Sequence, residues 1–134
     1  MKLHQQFFRF CIIGTVGFLV DVSILYYLRN AGFDLYSARA FSFVIAVSWS
    51  WFGNRFYTFR TPSSSGQQLG GEWAKYLGAM LMGGLVNYGV YAILITAFAL
   101  FREHPWLGVV FGTGAGLLIN FTMARRILFR PANE

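Results

Sequence analysis

Apolar residues run from Phe10 to Leu28 with one interruption, and the same pattern returns three more times along the chain. The stretches at about 10–28, 36–54, 76–101 and 106–124 each carry at most one charged residue. A helix rises 1.5 Å per residue, so about 20 such residues match a hydrocarbon core about 30 Å thick. The pattern therefore predicts an all-α membrane protein: four transmembrane helices in a single domain over residues 1–134. Residues 1–9 read as a short amphipathic lead-in, with Lys2 and Arg9 flanking Phe7 and Phe8. Arg29–Leu35 and Arg102–Pro105 read as turns, and proline suits the first position of the helix that follows. The polar segment between spans two and three has a Ser/Gly-rich centre at 61–71, which reads as a flexible cytoplasmic loop.

Composition supports the membrane class. Hydrophobic residues make up 56% of the chain and charged residues 12%, against about 25% charged in soluble proteins. The net charge of +6 does not point to nucleic acid, because the basic residues sit at the ends of the apolar stretches rather than in one patch. Lys2, Arg9, Arg55, Arg60, Lys75, Arg125, Arg126 and Arg130 fall on one side of the predicted bundle. Arg29, Arg39 and Arg102 fall on the other. Cytoplasmic loops are enriched in Lys and Arg, so both termini are expected in the cytoplasm. No small-x-small cleavage site follows Leu28, so the first stretch reads as a retained helix and not as a signal peptide. Cys11 is the single cysteine, which excludes an intrachain disulfide and a cysteine-based zinc cluster. His4 and His104 lack metal-ligand spacing. With no nucleophile–base pair and no Gly-rich phosphate loop, neither a catalytic residue nor a metal or other cofactor is expected.

The two halves resemble each other. Gly17-Phe-Leu-Val-Asp21 lies over Gly83-Gly-Leu-Val-Asn87 at a shift of 66, and Arg55-Phe-Tyr-Thr-Phe-Arg60 over Arg125-Arg-Ile-Leu-Phe-Arg130 at a shift of 70. The change in shift falls in the outer turn, where insertions are tolerated. Two spans per half give both copies one orientation, so a 2+2 parallel internal repeat is expected, about an axis along the membrane normal.

Residues four apart share a helix face. That periodicity joins Gly17 to Asp21, Gly83 to Asn87, Ser42 and Ala46 to Ser50 and Asn54, and Gly108, Gly112 and Gly116 to Asn120. Small residues let helix backbones approach in lipid, and the Gly108–Gly112–Gly116 run also suits a homo-oligomer. Asp21, Ser50, Asn87 and Asn120 predict a polar path inside the bundle. A carboxylate at mid-bilayer costs about 2.5–3.5 kcal/mol on insertion scales, so Asp21 should face protein or water. Its structural alternative is an ion pair with Arg39. Arg9, Asn54, Arg55, Lys75, Arg125 and Arg126 form an expected inner ring. Topology alone would place cations there, but the arrangement also suits a phosphate held by the forked donors of arginine.

Phe8-Arg-Phe-x3-Gly14-x2-Gly17-x3-Asp21, Asn54-Arg-Phe-Tyr-Thr-Phe59, and Ile119-Asn-Phe121 with Arg125-Arg-Ile-Leu-Phe129 together resemble the GtrA-like family. The resemblance covers nearly the whole chain, with Arg9, Gly14, Asp21, Asn54, Arg55, Phe59, Asn120 and Arg125 on the family pattern. Span two departs from it at Ser50, which stands where the counterpart of Asn120 falls. The resemblance implies a small membrane protein that moves a polyprenyl-phosphate-linked sugar across the bacterial inner membrane, after a membrane glycosyltransferase has loaded it. Two other readings compete. One is a proton-coupled exporter similar to the small multidrug resistance proteins, which also carry a carboxylate in the first of four spans. The other is a non-transporting anchor for a glycosyltransferase.

Overall fold

The computed structural model describes residues 1–62 and 65–128, and these contain helices and turns but no strand. Leu3–Asn30 forms α1 and Leu35–Gly53 forms α2, which runs on into a π-helical turn at Asn54–Thr58. Gly66–Ala97 forms α3, Ala99–Glu103 the short α4, and Pro105–Leu128 forms α5. Ser63, Ser64 and Arg130 lie outside the described residues.

Local chemistry sets the helix boundaries. Asp34 accepts from the Ser37 N–H at 3.0 Å and starts α2. At the start of α3, Ser65 and Gln68 form a capping box, each side chain accepting from the other's backbone N–H. This corrects the expected loop at 61–71, because Gly66 to Gly71 are already helical. Each glycine weakens a helix by roughly 0.5–1 kcal/mol. The cap holds this turn against that cost, together with bonds from Glu72 to Trp51 and Arg55 and from Trp73 to Ser48. The hydrophobic pattern carries span three to Phe101, but α3 ends at Ala97. Phe98 is extended, with φ −126° and ψ 128°. Arg102 folds back from α4 onto the carbonyls of Ile95 and Thr96, at 3.3 and 2.8 Å, and so satisfies carbonyls that a helix end leaves open.

Three helices, Leu3–Asn30, Gly66–Ala97 and Trp106–Leu128, are long and apolar enough to cross a membrane by length and composition. The expected span at 36–54 is not among them, so four expected spans become three among the described residues. Its helix, α2, has 19 residues and carries Arg39, Ser42, Ser48 and Ser50. Those groups leave little margin in a helix only about 28 Å long.

Helix α1 packs against α2 and α3 against α5, giving two hairpins. The hairpins meet where the N-terminus, the π-turn, the start of α3 and the end of α5 come together, here termed the terminal side. The core lies there: Phe10, Val47, Phe59, Tyr76, Phe121 and Leu128 are among its buried members. Phe7 and Phe10 set their edges against Phe121, with centroids 5.1 and 5.5 Å apart. Toward the hairpin tips apolar side chains such as Phe18, Tyr26, Leu85 and Ile93 are exposed. Lipid tails are as apolar as these side chains, so they gain little by leaving lipid.

Small residues set the close approaches within each hairpin. A Cβ on Gly17 would meet Ser50 Oγ at 2.5 Å, and one on Gly83 would fall on the Asn120 amide. Gly112 and Gly116 leave room for Asn87, and Gly108 for the Tyr91 ring. The Gly108–Gly112–Gly116 run is thus used inside the chain. The buried positions also keep register between the hairpins. Gln6, Phe10, Ile13 and Gly17 in α1 stand 66 residues before Glu72, Tyr76, Ala79 and Gly83 in α3, and all eight are buried.

Candidate functional site: an inter-hairpin cavity and its clasp

Between the hairpins lies a cavity of 590 Å³ whose lining includes Asp21, Ser50, Asn54, Tyr76, Asn87 and Asn120. Each reaches it from a helix face set by spacing: Asp21 one turn beyond Gly17, Asn87 one turn beyond Gly83, and Ser50 and Asn120 opposite those glycines. All four residues of the sequence-derived polar path therefore border one space. Asn120 Oδ1 is, among the described residues, a buried acceptor with no hydrogen-bond partner. It rests against the Cα of Gly83, where no side chain competes.

Asp21 faces protein. Arg39 Nη1 donates to its Oδ1 and Oδ2 at 2.7 and 2.6 Å. The carboxylate side chain is 14% exposed and the guanidinium side chain 56%. The pair neutralises the acid at the cavity wall while the arginine side chain stays more than half exposed. Asp21→Asn and Arg39→Gln should therefore couple in a double-mutant cycle read by thermal melting in detergent. A coupling of about 0.5–3 kcal/mol is expected, toward the lower end because Arg39 is half exposed. Strict additivity would show that the pair carries no stability.

The six residues of the expected inner ring do not form one ring. Asn54 and Arg55 are each 1% exposed and sit inside the terminal-side core, because the π-turn directs them inward. Asn54 Nδ2 donates to Tyr76 Oη at 2.8 Å and Asn54 Oδ1 accepts from Thr58 at 2.7 Å. Arg55 Nη1 donates to both oxygens of Glu72 at 2.5 Å, and Nη2 to the Pro62 carbonyl at 2.6 Å. Glu72 also accepts from Trp51 Nε1 at 2.9 Å. In the reciprocal position, Arg125 Nε at the end of α5 donates to Gln6 Oε1 in α1 at 3.0 Å. Each hairpin thus ends in an arginine that holds the start of the other, and this crossed clasp closes the terminal side. Arg9 lies elsewhere, donating to the Tyr57 carbonyl at 3.0 Å with its guanidinium 4.6 Å from that ring's centre. Lys75 and Arg126 line a separate pocket.

Sequence reasoning missed Glu72, Gln6, Trp51 and Tyr76. A signal for Glu72 was present: it is the sole acid between Asp34 and Glu103, and it stands 66 residues after Gln6.

A family model described as the GtrA/DPMS transmembrane domain matches residues 9–129. The chain belongs to this family. The match takes in both hairpins, every cavity residue named above and the Arg55–Glu72 half of the clasp, while Gln6 lies just before it. With its three apolar helices, this GtrA/DPMS domain is a multi-pass membrane protein. Its membership is consistent with a membrane function related to polyprenyl-phosphate sugars.

Proposed function

We propose that this GtrA/DPMS domain translocates a polyprenyl-phosphate-linked sugar across the bacterial inner membrane, for modification of surface polysaccharide or glycolipid, and performs no bond chemistry of its own. The observation that carries the reading is the inter-hairpin cavity, where Asp21, Ser50, Asn87 and Asn120 line one space. Polar side chains at membrane depth are costly and mark paths for polar cargo. Phe18, on the cavity wall, is itself exposed, so a polyprenyl tail has a way to remain in lipid while the sugar passes.

In this reading α2 runs back along α1 to complete the first hairpin, and both termini face the cytoplasm. The hairpins are read as a parallel duplication. The matched burial and the crossed bonds Arg55–Glu72 and Arg125–Gln6 support that reading. Cations on the terminal side receive the phosphate, and a membrane glycosyltransferase supplies the loaded lipid. The exporter reading is disfavoured because Asp21 is already matched by Arg39, which leaves little charge to hold a cation.

The test is surface glycosylation in a strain that needs the protein. Asp21→Ala and Asn120→Ala should each lower it by about tenfold at normal abundance, as for one buried hydrogen bond lost on the path. Full activity in both variants, with the glycosyltransferase still captured by the protein, would support the anchor reading instead.

A further inference from the structure

The structure holds a second polar space, apart from the cavity. A pocket of 490 Å³ between the first turns of α3 and the last turn of α5 is lined by Gln68, Gly71, Glu72, Lys75, Arg126 and Ile127. Lys75 and Arg126 come from different helices and both are exposed. Among the described residues neither takes part in an ion pair, and no hydrogen bond is formed by either side chain. The acid in the wall, Glu72, is already matched, because Arg55 grips both its oxygens from behind and Trp51 donates to one of them. Arg55, Lys75 and Arg126 against Glu72 leave two positive charges unbalanced around this pocket. Gly71 has open space where a Cβ would stand, so nothing fills the mouth from that side.

We infer that this pocket binds a phosphate group, with Lys75 and Arg126 as its ligands. Cations at the end of α5 also suit its dipole and the positive-inside bias. Those effects do not require two cations on separate helices to line one concavity whose acid is neutralised from within. The ammonium supplies a point charge and the guanidinium a planar fork, a pairing suited to a phosphate monoester or diester. Arg55 does not line the pocket and is not a ligand. The Arg55–Glu72 bond stands between the two spaces, with Asn54 and Tyr76 toward the cavity and Glu72 toward the pocket. This deepens the translocation reading, on which the identity of the natural ligand rests: the phosphate is held at the terminal side while the sugar has its own path between the hairpins.

The experiment uses the full chain in phosphatidylcholine nanodiscs. One arm titrates inorganic phosphate, and the other raises the mole fraction of phosphatidic acid, with melting temperature and phosphorus NMR of the bound group as readouts. Lys75→Gln/Arg126→Gln is compared with Lys2→Gln/Arg60→Gln, which removes the same charge elsewhere, and with each pocket single variant. The pocket double variant should bind at least about tenfold more weakly, each single should fall between it and wild type, and the control should match wild type. A response to both probes assigns the site to the phosphate group from either source, and a response to the lipid alone assigns it to a membrane-held headgroup. Wild-type binding by the pocket double variant would overturn the site. An equal loss in the control would also overturn it, because binding would then follow overall surface charge. Surface glycosylation is scored in parallel. Binding lost with transport intact would separate the site from translocation, and transport lost with binding intact would overturn the site but not translocation.

Discussion

Replacing Glu72 by alanine should cost about 3–5 kcal/mol of stability, because the substitution leaves a buried guanidinium without its counter-ion. Arg55 is 1% exposed and Glu72 5%, so both charges of the pair are withdrawn from water. Trp51 loses its acceptor in the same change. The partner half of the clasp is a neutral amide. Gln6→Ala removes one charge-assisted bond to Arg125 and should cost less, about 1.5–3 kcal/mol. Replacing both members of the buried pair, as Arg55→Met/Glu72→Leu, should recover much of the loss, since apolar isosteres carry no desolvation penalty. Thermal melting in detergent ranks the variants. A Glu72→Ala protein that melts with wild type would show that the bond contributes nothing to the closed terminal side.

Gly83→Ala should cost about 1–3 kcal/mol, because the added methyl falls on the Asn120 amide across the α3–α5 seam. The neighbouring Gly84 has open space at its Cβ position. Gly84→Ala should be neutral or stabilising by up to about 1 kcal/mol through helix propensity alone. Shortening the opposing side chain, as Gly83→Ala/Asn120→Ala, should restore most of the stability but not the polar lining of the cavity. Equal melting temperatures for Gly83→Ala and Gly84→Ala would show that the close approach is not a constraint.

The helices were legible because an apolar run of span length has few other uses. The Asp21–Arg39 pair was legible for a geometric reason: both residues stand a few helical turns from one short connection, and a long arginine side chain covers the difference in height. Asp21, Ser50, Asn87 and Asn120 could be placed on common faces because a helix repeats every 3.6 residues. The π-turn at Asn54–Thr58 escaped the same arithmetic. One turn of wider winding directs Arg55 into the core, whereas a charge at a helix end in sequence reads as a surface cation. Glu72 escaped because glycines and glutamines precede it, and such composition reads as a linker. The bonds that make that stretch helical come from Trp51, Arg55 and Ser48, which are distant in sequence. The second helix shows the opposite limit. Its serines and arginine serve contacts inside the protein, and they lower the apolarity by which a span is recognised.

The crossed clasp also has a consequence for biogenesis. A ribosome releases residue 55 before residue 72, so the first hairpin is complete while its terminal arginine still lacks a carboxylate. Until the third helix is made, that guanidinium must stay with water or headgroups, and the terminal side of the first hairpin cannot seal. The nascent chain is thus held ajar until its second half arrives to shut it.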